Sequence, residues 1–260
     1  MKRRFCDTAL GQVHCVEAGA GEGPPLLLIH QTPRSIDEYA EVLPILAAYH
    51  RVIAVDSPGY GASDPVPGQP QIADYAAALT AVLDELDIAK AIVVGHHTGA
   101  LIAVEMAAAN PGRVDRLALS GPIYMDAGTR ARLRPLFERW RIQADGSHLQ
   151  KKWDAMRVWL PRPDLVQRFV VDLFRAGETS EQGHLAAANY RMEDRLPLVQ
   201  CPGLLIFGSR DVFAPEEAAA PFRHALRPCR EATLEAGIFP ANEVPDDFSR
   251  VLLDYVGGAP

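Results

Sequence analysis

Cysteine is scarce in this sequence. There are four in 260 residues, Cys6, Cys15, Cys201 and Cys229, and none has the spacing of metal ligands. That excludes a disulfide framework and a zinc module, and reduced thiols are expected. One pair stands out, since a two-residue turn at Leu10 and Gly11 would set Cys6 across a hairpin from Cys15. Long apolar runs are also missing. None approaches the ~20 residues that span a bilayer, so no membrane segment is expected. Positive charge is in deficit: the formal net charge is -7, and no basic stripe offsets it, which argues against nucleic-acid binding. The basic opening Met1-Lys2-Arg3-Arg4 leads into no apolar segment, so no secretory signal is expected and a cytoplasmic location is the default. There is no internal repeat and no low-complexity tract.

Hydrophobic residues make up 48% of the chain, enough to bury a large core. Short apolar runs occur at 26–29, 51–55, 91–94, 116–119, 204–207 and 232–234. They are nearly all apolar instead of alternating, as expected of parallel strands covered on both faces. Between them, 36–49 and 72–86 space apolar residues at three and four, the mark of amphipathic helices. Segments 215–226 and 245–255 each open with proline followed by acidic residues, a favourable helix start. This alternation predicts an α/β fold, a mostly parallel sheet with helices on both faces. Residues 127–197 break the rhythm, carrying Trp140, Trp153, Trp159 and many arginines but no convincing strand. They are expected to form a helical cap on a core of 1–126 and 198–260.

Gly95-His96-His97-Thr98-Gly99 follows the apolar run 91–94 and precedes a helix-like segment. Strand, sharp turn and helix in that order match the G-x-S-x-G nucleophile elbow, in which a strained turn lifts one side chain into the open. The lifted residue here is His97, not serine. Three further segments carry the same likeness: Asp56-Ser57-Pro58-Gly59-Tyr60-Gly61-Ala62-Ser63, Leu28-Ile29-His30-Gln31-Thr32-Pro33, and Phe207-Gly208-Ser209-Arg210-Asp211. Together they resemble the α/β-hydrolase superfamily over essentially the whole chain apart from the cap, in the branch of ester, lactone and carbon–carbon bond hydrolases. The likeness implies an oxyanion loop at His30 to Pro33, with Gln31 where glycine is usual, and Asp211 as the triad acid. The triad base is expected after the last strand, in Leu234-Glu235-Ala236-Gly237-Ile238-Phe239-Pro240, where Ile238 stands in its place.

Serine-type hydrolysis is therefore excluded, because the nucleophile and its separate base are both gone. An imidazole is longer than a hydroxymethyl group and reaches toward the space of the missing base. One ring nitrogen of His97 is expected to bond Asp211, with the other near the backbone amides of Thr32 and Thr98, assigned as the oxyanion hole. His30, Gln31, Ile238, Trp153 and Trp159 are assigned to the substrate pocket. His96 is read as packing, and His148, His184 and His224 as cap or surface residues. The expected activity is on a small, partly apolar carbonyl compound, by ester or lactone hydrolysis or by proton abstraction with cleavage, elimination or isomerisation. The alternative is a binding protein that keeps the pocket without turnover. No cofactor and no metal are expected, and the partner is a small-molecule substrate or ligand, with a homodimer left open.

Overall fold

The computed structural model describes residues 1–137, 140–160 and 162–257. The chain opens with an antiparallel hairpin of β1 (Lys2–Thr8) and β2 (Gly11–Ala18). Its turn is one residue earlier than expected, at Ala9 and Leu10, because Thr8 pairs directly with Gly11. The Thr8 hydroxyl closes that turn by donating to the Gly11 carbonyl (2.7 Å) and accepting from the Leu10 N–H (3.1 Å). Cys6 consequently pairs with Val13 and Cys15 with Arg4. The two cysteines are diagonal neighbours on one face, free thiols with sulfurs 3.9 Å apart.

The remaining strands are β3 (Leu26–Ile29), β4 (Val52–Val55), β5 (Ala91–His96), β6 (Val114–Ser120), β7 (Gly203–Gly208) and β8 (Cys229–Leu234). The sheet order is β1-β2-β4-β3-β5-β6-β7-β8, with β2 antiparallel to β4 and all later pairs parallel. Alternate residues of the central strands feed two cores. Leu27, Ile29, Val93, Leu117 and Leu205 pack beneath one helical layer, and Leu26, Leu28, Ile92, Val94, Ala118 and Leu204 beneath the other. The first layer holds α2 (Ile72–Glu85) and α3 (Thr98–Ala109), while the second holds α1 (Val42–Ala47) and, at the end of the chain, α11 (Pro245–Gly257). The segment 36–49 is not one helix but a 3₁₀ turn, Ile36–Tyr39, followed by α1. Pro44 accounts for the break, since its ring would clash with the carbonyl four residues earlier in a continuous helix.

Between β6 and β7 the described residues form helices and turns only: α4 (Ala127–Leu133), α5 (Ser147–Arg157), α6 (Pro163–Ala176), α7 (Gln182–Ala187) and α8 (Met192–Arg195). Helices α9 (Ala220–Ala225) and α10 (Pro240–Glu243) flank β8. A buried polar clamp ties α6 to the loop after β3. Arg34, 1% exposed, donates to Asp172 (2.9 Å) and Asp37 (3.0 Å), and Ser35 donates its hydroxyl to Asp172 (2.8 Å). Arg168 reaches Asp37 (2.6 Å) and Glu41, and the rings of Phe169 and Phe239 lie 6.0 and 5.7 Å from the Arg34 guanidinium. Buried charges persist only with such partners. Among the described residues no helix is long and apolar enough to cross a membrane.

Candidate active site

The carboxyl ends of β3, β5, β6 and β7 and the loop after β8 converge on one cavity, the crevice where parallel α/β sheets place their ligands. At the end of β5 the main chain turns sharply. His97 has φ 44° and ψ -109°, a backbone conformation rare outside glycine. Two close approaches make the turn possible. A Cβ on Gly95 would lie 2.2 Å from the Gly99 carbonyl oxygen, and one on Gly99 would lie 2.2 Å from the carbonyl oxygen of Ile29. Only glycine fits at either place.

The turn aims the His97 ring at the loop after β7. Its Nε2 is 2.7 Å from Oδ2 of Asp211, and because a carboxylate only accepts, Nε2 carries the proton. The other oxygen, Oδ1, accepts from the N–H groups of Phe213 (2.9 Å) and Ala214 (3.4 Å). Burial by itself would push the Asp211 carboxyl up. The hydrogen bond and charge of His97, with help from the Phe213 N–H, outweigh it and hold the group below the usual carboxylate value. Asp211 is thus an ionised partner. His97 Nδ1 has no hydrogen-bond partner among the described residues, and the residue lines the cavity.

His96 does more than fill space. Its ring stacks on His97, with centroids 4.3 Å apart and planes 23° from parallel. Its Nε2 lies 2.9 Å from the Ile238 carbonyl, and its Nδ1 lies 3.0 Å from the Ser120 hydroxyl and 3.1 Å from the Ser120 carbonyl. Burial, then the neighbouring charge of His97, pushes the His96 imidazole down to about 3, so it stays neutral. The loop that would carry a triad base is therefore held by its main chain, with the Ile238 side chain in the cavity wall.

Thr32 and Thr98 both line the cavity, and neither backbone N–H has a partner among the described residues. Gln31, Ile238 and Trp159 lie on the wall as expected. Two assignments need correction. His30 is off the wall: it accepts from the Ser57 N–H (2.9 Å) and donates to the Gln31 carbonyl (2.7 Å), bracing the loop from within. Trp153 is off it too, packed against the small core of Leu160, Leu165 and Phe169. On α5 the wall residues are Lys152, Ala155 and Met156, and Trp153 is turned about 100° from Lys152 around the helix. His184, read as a cap or surface residue, sits on α7 between β6 and β7 and also lines the cavity, as do Phe213 and Glu181.

The cavity holds about 410 Å³ and its wall is mostly apolar. Phe213 stands edge-on to His97 (6.5 Å) and touches Trp159 (5.0 Å). A base, unpartnered amides and an apolar enclosure can orient a small carbonyl compound and exclude bulk water. Among the described residues no group of three or more His, Cys, Asp or Glu side chains is arranged to hold a metal ion.

Residues 24–234 match the family model for the alpha/beta hydrolase fold. Among curated proteins, the chain is 26% identical over 304 residues to a fluoroacetate dehalogenase from Burkholderia sp, covering 99% of this chain and 94% of that one. It is 30% identical over 213 residues to the dihydrolipoyllysine-residue acetyltransferase component of an acetoin cleaving system from Pseudomonas putida, covering 78% of this chain but only 56% of the relative. Among solved structures, a hydrolase from Pseudomonas aeruginosa PA01 superposes with a TM-score of 0.85 at 22% identity, covering 98% of both chains. An enol-lactonase from Burkholderia xenovorans LB400 gives 0.80 at 19%, covering 98% of this chain and 100% of the other. At those identities the structural likeness speaks for the fold alone. The family match, spanning most of the sequence, speaks for kinship: the chain belongs to the α/β-hydrolase fold family.

Proposed function

We propose that this protein is an enzyme acting on a small, partly apolar carbonyl compound, with His97 as general base and Asp211 as its orienting partner. The observation that carries the reading is the 2.7 Å contact between His97 Nε2 and Asp211 Oδ2 at the floor of the cavity. It fixes the tautomer and leaves Nδ1 as the proton acceptor. In hydrolysis of an ester or lactone, Nδ1 takes a proton from water as the water oxygen bonds the carbonyl carbon. The Thr32 and Thr98 amides receive the charge on the carbonyl oxygen. The acyl–oxygen bond then breaks, and the leaving oxygen takes the proton back from Nδ1. The same base is placed to remove a proton next to a carbonyl, with cleavage, elimination or isomerisation following. General-base catalysis supplies about 10²–10⁴-fold, and each oxyanion donor adds about 10²–10³-fold.

Relatives named as hydrolases and dehalogenases support an enzymatic role. One feature favours a second reading, a binding protein without turnover: Ile238 and Phe239 make the wall apolar where a triad base would stand. Assays of activated esters, lactones and β-dicarbonyls with wild type and His97→Ala decide between the two. Turnover that drops at least 100-fold in the variant supports the enzyme. No turnover across the panel, with ligand binding retained, supports the binding protein.

A further inference from the structure

The ionisable residues of the cavity wall fall into two groups. One is His97. The other is Lys152 on α5 with Glu181 and His184 at α7, the remaining wall being apolar or uncharged. Glu181 is the least exposed of the three, its side chain 9% exposed against 24% for Lys152 and 26% for His184. Its two oxygens are spoken for: Oε2 accepts from His184 Nδ1 at 2.7 Å, and Oε1 is 3.6 Å from the Lys152 ammonium. The His184 ring is fixed further by stacking on Phe137, with centroids 4.7 Å apart and planes 9° from parallel, and Lys152 lies over the Trp140 ring at 5.8 Å.

Three ionisable groups set into an apolar wall are costly unless they serve one another or a ligand. Glu181 serves the other two. A lysine has three donors and a protonated histidine two, and one carboxylate cannot use them all. Two nitrogen-bearing groups oriented by a single, less exposed carboxylate leave an edge rich in donors. A second carboxylate, brought by a ligand, completes the group as a charge-assisted pair.

We propose that Lys152 and His184, oriented by Glu181, seat a carboxylate of the substrate. The substrate class is then an apolar carbonyl compound that carries a carboxylate apart from its reacting carbonyl. This rests on the reading of the cavity as a substrate site, and it assigns Lys152 and His184 to binding and not to the chemistry at His97.

The probes are monophenyl glutarate and its primary-amide isostere, compared by calorimetric titration and by phenol release. The proteins are wild type, His97→Ala, Lys152→Met, Lys152→Arg and His184→Gln, each checked by its melting temperature. Wild type and His97→Ala are expected to bind the acid at least 10-fold more tightly than the amide, a preference worth one charge-assisted contact. Lys152→Met should lose that preference while keeping its affinity for the amide, and Lys152→Arg should restore part of it. Equal binding of acid and amide, or no binding of either, overturns the proposal. So does a preference that survives in both Lys152→Met and His184→Gln. Loss of phenol release from both probes alike in His184→Gln would make His184 a catalytic group and overturn it as well. A Lys152-dependent preference without phenol release in any protein would keep the carboxylate seat and remove the enzymatic reading instead.

Discussion

Gly121 backs directly onto the edge of the His97 ring. A Cβ at Gly121 would lie 2.4 Å from His97 Cδ2, 2.5 Å from Nε2 and 3.0 Å from Oδ2 of Asp211. Gly121 also has φ 54°, and its N–H is held by the Ile206 carbonyl at 2.8 Å, so the main chain cannot retreat without breaking a sheet-end bond.

Gly121→Ala is therefore expected to push the imidazole away from Asp211 and to strain the backbone, at a cost of about 1–3 kcal/mol in stability. A lowered melting temperature together with at least a 100-fold fall in kcat is the predicted result, read by calorimetry and steady-state kinetics. A variant with wild-type kcat would show that the His97–Asp211 contact is dispensable.

Asp211→Asn keeps the shape and removes the charge. Activity should fall, because the neutral amide cannot stabilise a charged imidazole. The carboxyl lies below its ordinary value in the folded protein. Its stabilising contribution is thus complete above the unfolded carboxylate value of about 3.9 and is lost as pH falls through the lower folded value. The carboxylate's share of the stability gap between wild type and Asp211→Asn should close in strong acid, as followed by denaturant melts.

Glu38 should give the opposite pH dependence. It lies 1% exposed beside the loop after β3, with one oxygen 3.4 Å from the Gln31 N–H and the other without a partner among the described residues. Burial pushes its carboxyl up to about 8. A raised acid stabilises fully below its unfolded value and loses that contribution as pH rises through the folded one. Wild-type melting temperature should therefore decline from about pH 5 to pH 8 and level off above that, and Glu38→Gln should flatten the decline.

Asp172→Ala would leave the Arg34 guanidinium buried without its best partner. Breaking one half of a buried ion pair destabilises by about 3–5 kcal/mol. The clamp joins α6 to the loop that carries Thr32, so catalytic or binding competence should fall with stability. Equilibrium unfolding in urea checks the first and ligand titration the second.

Fluorophosphonate and sulfonyl fluoride probes should leave Ser57, Ser63 and Ser120 unlabelled. Ser120 does bond a histidine, yet it is 1% exposed and that histidine is His96, which stays neutral. Ser57 is 2% exposed, and the Ser63 hydroxyl is engaged with the Asp56 carbonyl at 2.6 Å. Intact-mass spectrometry after labelling is the measurement, and stoichiometric modification of any of the three would relocate the nucleophile.

The parts of the molecule legible in the sequence are those fixed by local rules. Leu26–Ile29 and Ala91–His96 read as buried parallel strands because every position but the last few is apolar, and the elbow announced itself through its two glycines. Asp211 could be placed because it follows a strand end at short range. The hairpin register was missed because a choice between two adjacent tight turns decides it, and the Thr8 hydroxyl tips that choice. His184 and Phe213 were missed because tertiary packing alone brings them to the cavity. A signal did exist for α5: positions 152, 155 and 156 share one helical face, from which Trp153 is turned away.

The strain at His97 resides entirely in the main chain, held by Gly95, Gly99 and the Ser120 carbonyl that accepts its N–H at 3.0 Å. None of these three main-chain holds involves the His97 side chain. The elbow works as a socket, and evolution or design can exchange the residue in it while the fold is untouched. The same independence limits what one exchange achieves. His97→Ser would restore the familiar pentapeptide but would face Ile238, with His96 too buried and too weakly basic to replace the absent base. Recovering a serine hydrolase from this chain would need at least two coordinated changes, at 97 and at 238.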